Sequence, residues 1–434
     1  MSTDPIALWR AIANAGGIDA YVSAQLVEKG FLVKRRPTDN MSKRDLARYK
    51  QQLKDEAAER RRLKKEAWLA YKANHIVHLG EGVYWNDAAD ADRFDHPKAE
   101  ERLAENGLPV LDKPQQLADA LEVPLTELRW LTWHRDAAAR VHYRRFTIPK
   151  RSGGERAIWA PLPKLKAAQR WVLREIVEKL PVHGAAHGFV AGRSIATNAA
   201  VHADARVVVK VDLKDFFPTV TLPRVKGVFR KAGYREQVAT LLALLCTESP
   251  REVVEEDGKT WFLSLGPRCL PQGAPTSPAL TNTLCLRLDR RLTGLAQALG
   301  WRYTRYADDL TFSLPRPQGR KKPKPPQTAK LLGGIKTIVA DEGFTVHPDK
   351  TRFARSGGRQ QITGMVINDD HGPRAPRELR RQLRAAIHNL NQGKPLPEGE
   401  SIDRLRGYVA YIRMTQPELG ESLSAQLDAA LSGA

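Results

Sequence analysis

Three aspartates stand where phosphoryl-transfer chemistry would need them. Between Val207 and Val211 an almost uninterrupted β-branched run leads into Asp212, as a buried strand carrying a carboxylate at its end would. Later, Trp301-Arg302-Tyr303-Thr304-Arg305 alternates in strand fashion, reaches Tyr306-Ala307-Asp308-Asp309 and resumes as Leu310-Thr311-Phe312-Ser313. That pattern is a strand, a tight turn bearing two carboxylates and a returning strand. Phosphoryl transfer employs two divalent ions about 3.5–4 Å apart, one activating the attacking oxygen and one supporting the leaving group. Hard carboxylate oxygens that leave room for water and phosphate suit Mg2+, with Mn2+ as a substitute. Asp212 and Asp308 are therefore expected as direct ligands and Asp309 as a supporting one. Any one of them alone could simply end a strand or a turn; the set points to a metal-dependent centre.

The rest of the chain must position that centre. At 434 residues it is long enough for a main body with appendages. The formal charge of +21, from 70 Lys+Arg against 49 Asp+Glu, predicts a polyanionic partner. Three cysteines, Cys246, Cys269 and Cys285, are too few and irregularly spaced for a disulfide framework or zinc cluster, so reduced, partly buried thiols are expected. The N-terminus lacks a basic segment followed by an apolar core, and no window approaches the roughly 18 apolar residues of a membrane span. The expected location is the cytoplasm, with no membrane partner.

Ile12–Leu26 is apolar-periodic, and Ser42 to Ala73, free of Gly and Pro, reads as an exposed helix with Ser42 and Asp45 resembling a capping box. Within it, Arg60-Arg61-Arg62-Leu63-Lys64-Lys65 either holds phosphate or forms a solvated face with i,i+4 pairs. Residues 80–113 read as a linker. Leu117 to His134 reads as two short helices broken near Pro124, and 315–326, where Lys and Pro alternate, as an exposed loop. Trp68 and Trp85 mark parts of the first hundred residues without a chemical motif.

Tyr306-Ala307-Asp308-Asp309 resembles the signature turn of reverse transcriptases, and Val211 to Phe217 resembles their first palm motif. Leu270-Pro271-Gln272-Gly273-Ala274-Pro275 resembles the intervening motif, in which the glutamine and adjacent backbone contact template and nucleotide, Gly273 letting the main chain approach a ligand. Ile148 to Arg156 is similar to the fingers hairpin, and Gly343 to Thr351 to the later palm motif with its lysine. The resemblance implies that Lys150 and Arg156 neutralise the triphosphate of an incoming dNTP and that Lys350 donates a proton to the leaving pyrophosphate. It also implies that Phe217 excludes the ribose 2′-hydroxyl, the alternative being palm core.

Asn198-Ala199-Ala200-Val201-His202 resembles a motif of bacterial retron reverse transcriptases, and Gln361-Ile362-Thr363-Gly364 their valine-threonine-glycine motif, with isoleucine for valine. Alternatively, Asn198 and His202 form a helix-face polar pair and Thr363-Gly364 kinks a strand. The resemblance implies RNA contact at Asn198, His202, Thr363 and Gly364. It further implies a structured noncoding RNA serving as primer, through the 2′-hydroxyl of an internal guanosine, and as template for branched RNA-linked DNA (msDNA), and an effector or toxin in antiviral defence. Arg377, Arg381 and Arg384 share a helix with an apolar stripe of Leu379, Leu383, Ile387 and Leu390, as a thumb helix facing duplex would. Tyr408 and Tyr411 either stack on nucleic acid or form thumb core.

The expected fold is α+β: a right-hand polymerase with a ferredoxin-like antiparallel palm, fingers and helical thumb, plus a mostly helical N-terminal extension. Expected boundaries are residues 1–112 for the basic extension and linker, 113–206 for fingers, 207–372 for palm and 373–434 for thumb. Rival readings are a group II intron or diversity-generating enzyme, a silent RNA-binding scaffold and a nuclease. Against them stand the lack of room after the thumb for a maturase segment, the intact carboxylates and the triphosphate elements.

Overall fold

The computed structural model describes residues 4–83, 96–150, 153–317, 325–368 and 372–432. Trp85 and most of the 315–326 loop lie outside them. The organising element is a four-stranded antiparallel sheet whose strands run, edge to edge, Arg302–Tyr306, Asp309–Pro315, Ala205–Asp212 and Arg352–Arg355. Helices separate the first strand from the second in sequence and the third from the fourth. The path is therefore the split βαβ arrangement expected of a ferredoxin-like sheet.

The continuous β-branched run at 207–211 follows from burial on both faces of its strand. Side chains alternate across a sheet, so Val207, Val209 and Val211 enter the main core. That core also holds Leu288, Leu292, Leu331 and Ile335 of the Leu286–Ala298 and Thr328–Asp341 helices. Val208 points the other way, into a layer with Ala199, Ile362, Met365 and Ile367. Each such valine contributes about 1.5–3 kcal/mol relative to an exposed one. An alternating polar strand would be solvated on one face; this one is not.

Two hairpins flank the sheet. Tyr143–Pro149 pairs with Glu155–Pro161 and is largely exposed beyond Tyr143, while Arg251–Glu256 pairs with Lys259–Ser264. The C-terminal helices Arg377–Asn391, Ile402–Arg413 and Pro417–Ser432 have their own core of Leu383, Ile387, Leu405, Val409, Ile412, Leu423 and Leu427. Tyr408 and Tyr411 pack against it.

At the other end, helices Pro5–Asn14 and Ile18–Glu28 lay Ile12, Val22 and Leu26 on Leu63, Ala67 and Ala70 of the long Lys43–Asn74 helix. Ser42 caps that helix by accepting from the Asp45 amide at 3.2 Å. Pro124 opens the Leu125–Thr132 helix, which follows the Pro114–Ala120 helix after a short break. The segment expected to be a linker, 80–113, includes the Ala99–Glu105 helix, and Leu103, Leu108 and Leu111 enter the main core. Its acidic surface residues concealed that anchoring. Cys246, Cys269 and Cys285 are free and buried. Among the described residues no helix is long and apolar enough to cross a membrane.

Candidate active site

Asp212 ends the central strand and lies in register opposite Asp309, the first residue of the neighbouring strand. Opposed residues of paired strands project on one side, so the two carboxylates are neighbours. The Leu213 amide donates to the Asp308 carbonyl at 3.0 Å, tying the turn to the end of the central strand. The turn is tight: Ala307 sits at φ +55°, a conformation that costs an L-residue about 1–2 kcal/mol.

Buried groups compensate. Arg305, 0% exposed, forks onto the equally buried Asp289 at 2.7 and 2.9 Å. Its other arm donates to the Ala307 carbonyl at 3.3 Å and to Asn282 Oδ1 at 3.0 Å. The Tyr303 hydroxyl donates to Asp289 at 2.8 Å, and the Asn282 amide to the Gly188 carbonyl at 2.8 Å. Gly188 is itself required, because a Cβ there would stand 2.8 Å from the Ala307 nitrogen. Sequence reasoning missed Arg305, Asp289, Asn282 and Gly188. The available signal was Asp289 between apolar Leu288 and Leu292, and an arginine inside an otherwise buried strand, since a buried charge demands a partner.

Two lysines reach the three carboxylates. Lys350 donates to Asp212 Oδ1 at 3.0 Å and Lys210 lies 3.7 Å from Asp309. Burial, then the neighbouring Asp212, push the Asp308 carboxyl up to about 6, and burial also raises Asp309. Crowded carboxylates that resist joint ionisation are the donor set a divalent cation would relieve. Among the described residues no three His, Cys, Asp or Glu side chains form a closed metal cage. The hard carboxylate oxygens of Asp212, Asp308 and Asp309 fit a divalent cation that would share its shell with water and phosphate oxygens.

Asp212 and Asp308 line a cleft of about 970 Å³. Across it stands the exposed hairpin of Tyr143–Pro161, with Lys150 at its tip and Arg156 on the returning strand, and Phe217, Gln272, His347 and Lys350 complete the wall. Asp309 and Gly273 are not among the cleft-lining residues. Phe217 packs against the main core and also lines the cleft. Gly273, at φ +116°, makes its close approach to protein: an added Cβ would be 2.7 Å from Ile158 Cγ2 and 2.8 Å from the Trp159 carbonyl. Together with the Trp159 amide bond to the Gln272 carbonyl at 2.7 Å, this holds the hairpin over the cleft.

The two retron-like motifs meet each other away from the cleft. Asn198 and His202 are 0% exposed, so in this conformation neither is available to RNA. His202 bridges the Ser313 and Thr304 hydroxyls, each at 2.7 Å, on the two strands flanking the catalytic turn. Burial depresses its pKa to about 3, keeping the ring neutral. The Asn198 amide faces Thr363 Oγ1 at 3.4 Å, and that hydroxyl donates to the Ile195 carbonyl. Thr363 and Gly364 have φ of +44° and +91°, and a Cβ on Gly364 would be 2.7 Å from the Tyr411 hydroxyl. Arg377, Arg381 and Arg384 are exposed on the Arg377–Asn391 helix, with Leu383 and Ile387 facing inward.

Residues 148–378 match the family described as Reverse transcriptase (RNA-dependent DNA polymerase). The chain is 55% identical to the retron Mx162 reverse transcriptase of Myxococcus xanthus, over 96% of this chain and 87% of that protein. It is 45% identical to the retron Mx65 reverse transcriptase of the same organism, over 75% and 73%, and 33% identical to the retron Ec86 reverse transcriptase of Escherichia coli, over 72% and 87%. A carboxylate turn, an antiparallel sheet and a cleft facing a basic hairpin thus coincide with similarity along nearly the whole sequence, and the chain belongs to the retron reverse transcriptases, RNA-directed DNA polymerases of right-hand fold.

Proposed function

We propose that this polymerase copies a cognate structured noncoding RNA into DNA, priming from the 2′-hydroxyl of an internal guanosine in that RNA and leaving branched msDNA. The observation that carries the polymerase centre is that Asp212 and Asp308 share one cleft with Lys150 and Arg156. Two Mg2+ ions, which Mn2+ can replace, would activate the attacking hydroxyl and neutralise the developing charge. Asp212 and Asp308 would hold them, with Asp309 in support. Lys150 and Arg156 grip the dNTP triphosphate, Arg156 through its planar fork. Phe217 crowds the sugar at its 2′ position, Gln272 contacts the nascent pair, and Lys350 protonates the leaving pyrophosphate.

In this reading the sheet and its helices, residues 207–372, form the palm. Residues 113–206 form the fingers and 373–434 a thumb whose Arg377, Arg381 and Arg384 follow duplex phosphates. The RNA–DNA product would operate in the cytoplasm with an effector or toxin in antiphage defence. The reading is tested by expressing the chain with its flanking noncoding region and treating the bound nucleic acid with debranching enzyme. DNA released from RNA only after debranching, and absent with Asp308→Asn, is expected. Unbranched DNA extended from a 3′ end would remove the 2′-priming assignment and keep the polymerase.

A further inference from the structure

The Lys43–Asn74 helix, none of whose residues lines the cleft, carries a sorted pattern of charge. At about 100° per residue, Lys43, Lys50, Lys54, Arg61, Lys65 and Lys72 fall within about 60° of one another on its surface. They extend about 44 Å along the axis at about 1.5 Å per residue. The five acidic residues of the helix, Asp45, Asp55, Glu56, Glu59 and Glu66, lie between about 120° and 220° from Lys43. The buried positions Tyr49, Glu56, Leu63, Ala67 and Ala70 occupy that same side.

The acids are spoken for there. Glu56 pairs with Arg35, Glu59 with Lys29 and Arg62, and Glu66 with Arg62. Among the described residues none of the six stripe cations makes an ion pair; Lys72 lies 6.0 Å over the Trp68 ring and Arg61 donates to the Ala57 carbonyl. All but Lys72 are exposed, and apart from Trp68 the small residues Ala47, Ala57 and Ala58 keep the rest of the face low. A solvated helix face mixes signs; this one is sorted, with every acid turned away from the stripe.

We infer that this stripe binds the phosphate backbone of a double-helical stem of the template RNA, outside the cleft. Single-strand sites stack bases on several aromatic rings, whereas this face offers only Trp68. A straight row of cations without hydrogen-bonding amides for base edges reads charge and shape, which is how RNA duplex is recognised. A membrane surface fits less well. The helix's buried apolar side is already packed against Ile12, Val22 and Leu26, and Trp68 and Leu69 are the large apolar side chains this helix leaves exposed, too few for an apolar face beneath lipid headgroups. The inference rests on RNA-directed synthesis by this family, which supplies the RNA.

The test uses the full chain, freed of nucleic acid, carrying Lys43→Ala, Lys50→Ala, Lys54→Ala, Arg61→Ala and Lys65→Ala together. Alanine favours helix, so the fold should persist. Extension of a short primer on a homopolymeric RNA template, which needs only the cleft, should be unchanged and also reports separately on the polymerase. Binding to a fully paired RNA hairpin long enough to span the stripe should weaken at least tenfold. The slope of log affinity against log salt should fall by about four, at about 0.7–0.9 per lost phosphate contact. Equal affinity and slope for variant and parent would overturn the inference. So would a loss confined to a DNA duplex, or to phosphatidylserine vesicles, with hairpin binding intact.

Discussion

Replacing Arg305 with methionine should separate two jobs that one side chain performs. Arg305 and Asp289 are both 0% exposed, linked at 2.7 and 2.9 Å, and Asp289 also accepts from Tyr303 at 2.8 Å. Removing the guanidinium strands a buried carboxylate, which costs about 3–5 kcal/mol. Adding Asp289→Asn removes that charge while retaining an acceptor for Tyr303, so the double variant should recover to within about 1–2 kcal/mol of the parent, the range of an ordinary lost hydrogen-bond network. Activity should not recover with it. Arg305 alone reaches the Ala307 carbonyl and Asn282, and a turn free to shift by about 1 Å can lose about 100-fold in rate. Urea denaturation and single-turnover primer extension read the two effects. A single variant within about 1 kcal/mol of the parent, or a double variant that regains both stability and rate, would refute the reasoning.

Asp308→Asn should abolish synthesis yet raise metal-free stability at neutral pH. The raised pKa, about 6, means that ionised Asp308 opposes folding above that pH and ceases to as pH falls toward its unfolded value. Two units correspond to about 3 kcal/mol, which solvent screening at an open cleft reduces to about 1–2; a destabilised variant counts against the crowding. Phe217→Ala should increase ribonucleotide incorporation in single-nucleotide assays, and unchanged discrimination rejects it as the sugar gate. His202 is depressed to about 3, below its unfolded value of about 6.5, so its contribution is complete above 6.5 and is lost as pH falls from there toward 3. At pH 5 the loss is about 2 kcal/mol. His202→Gln should flatten that part of the stability profile, and an unaltered slope assigns it elsewhere.

The carboxylate turn was legible because its signal is local. A short β-branched run favours a buried strand, and adjacent aspartates at a two-residue hairpin turn need no distant information. The ferredoxin-like sheet was an expectation carried by the family resemblance, and the observed strand order agrees with it. What stayed hidden depended on which layer a residue enters. Acidic stretches around 80–113 read as linker, although Leu103, Leu108 and Leu111 are sunk in the main core. Gly273 read as an opening toward ligand, although its missing side chain makes room for Ile158 and Trp159.

Asn198 and His202 show the limit most clearly. Polar residues at fixed spacing look like ligands for an external partner, and nothing within a short segment reveals that the partners are Thr304, Ser313 and Thr363 far along the chain. A neutral imidazole offers one donor and one acceptor, and both nitrogens of His202 are taken by hydroxyls, one on each strand that feeds the Ala307-Asp308 turn. The motif therefore sits behind the strands that carry the carboxylates. It fixes the spacing of the two strands whose ends carry Tyr306 and Asp309, and through Asn198 it joins that layer to the Thr363-Gly364 turn and so to Tyr411 of the C-terminal helices.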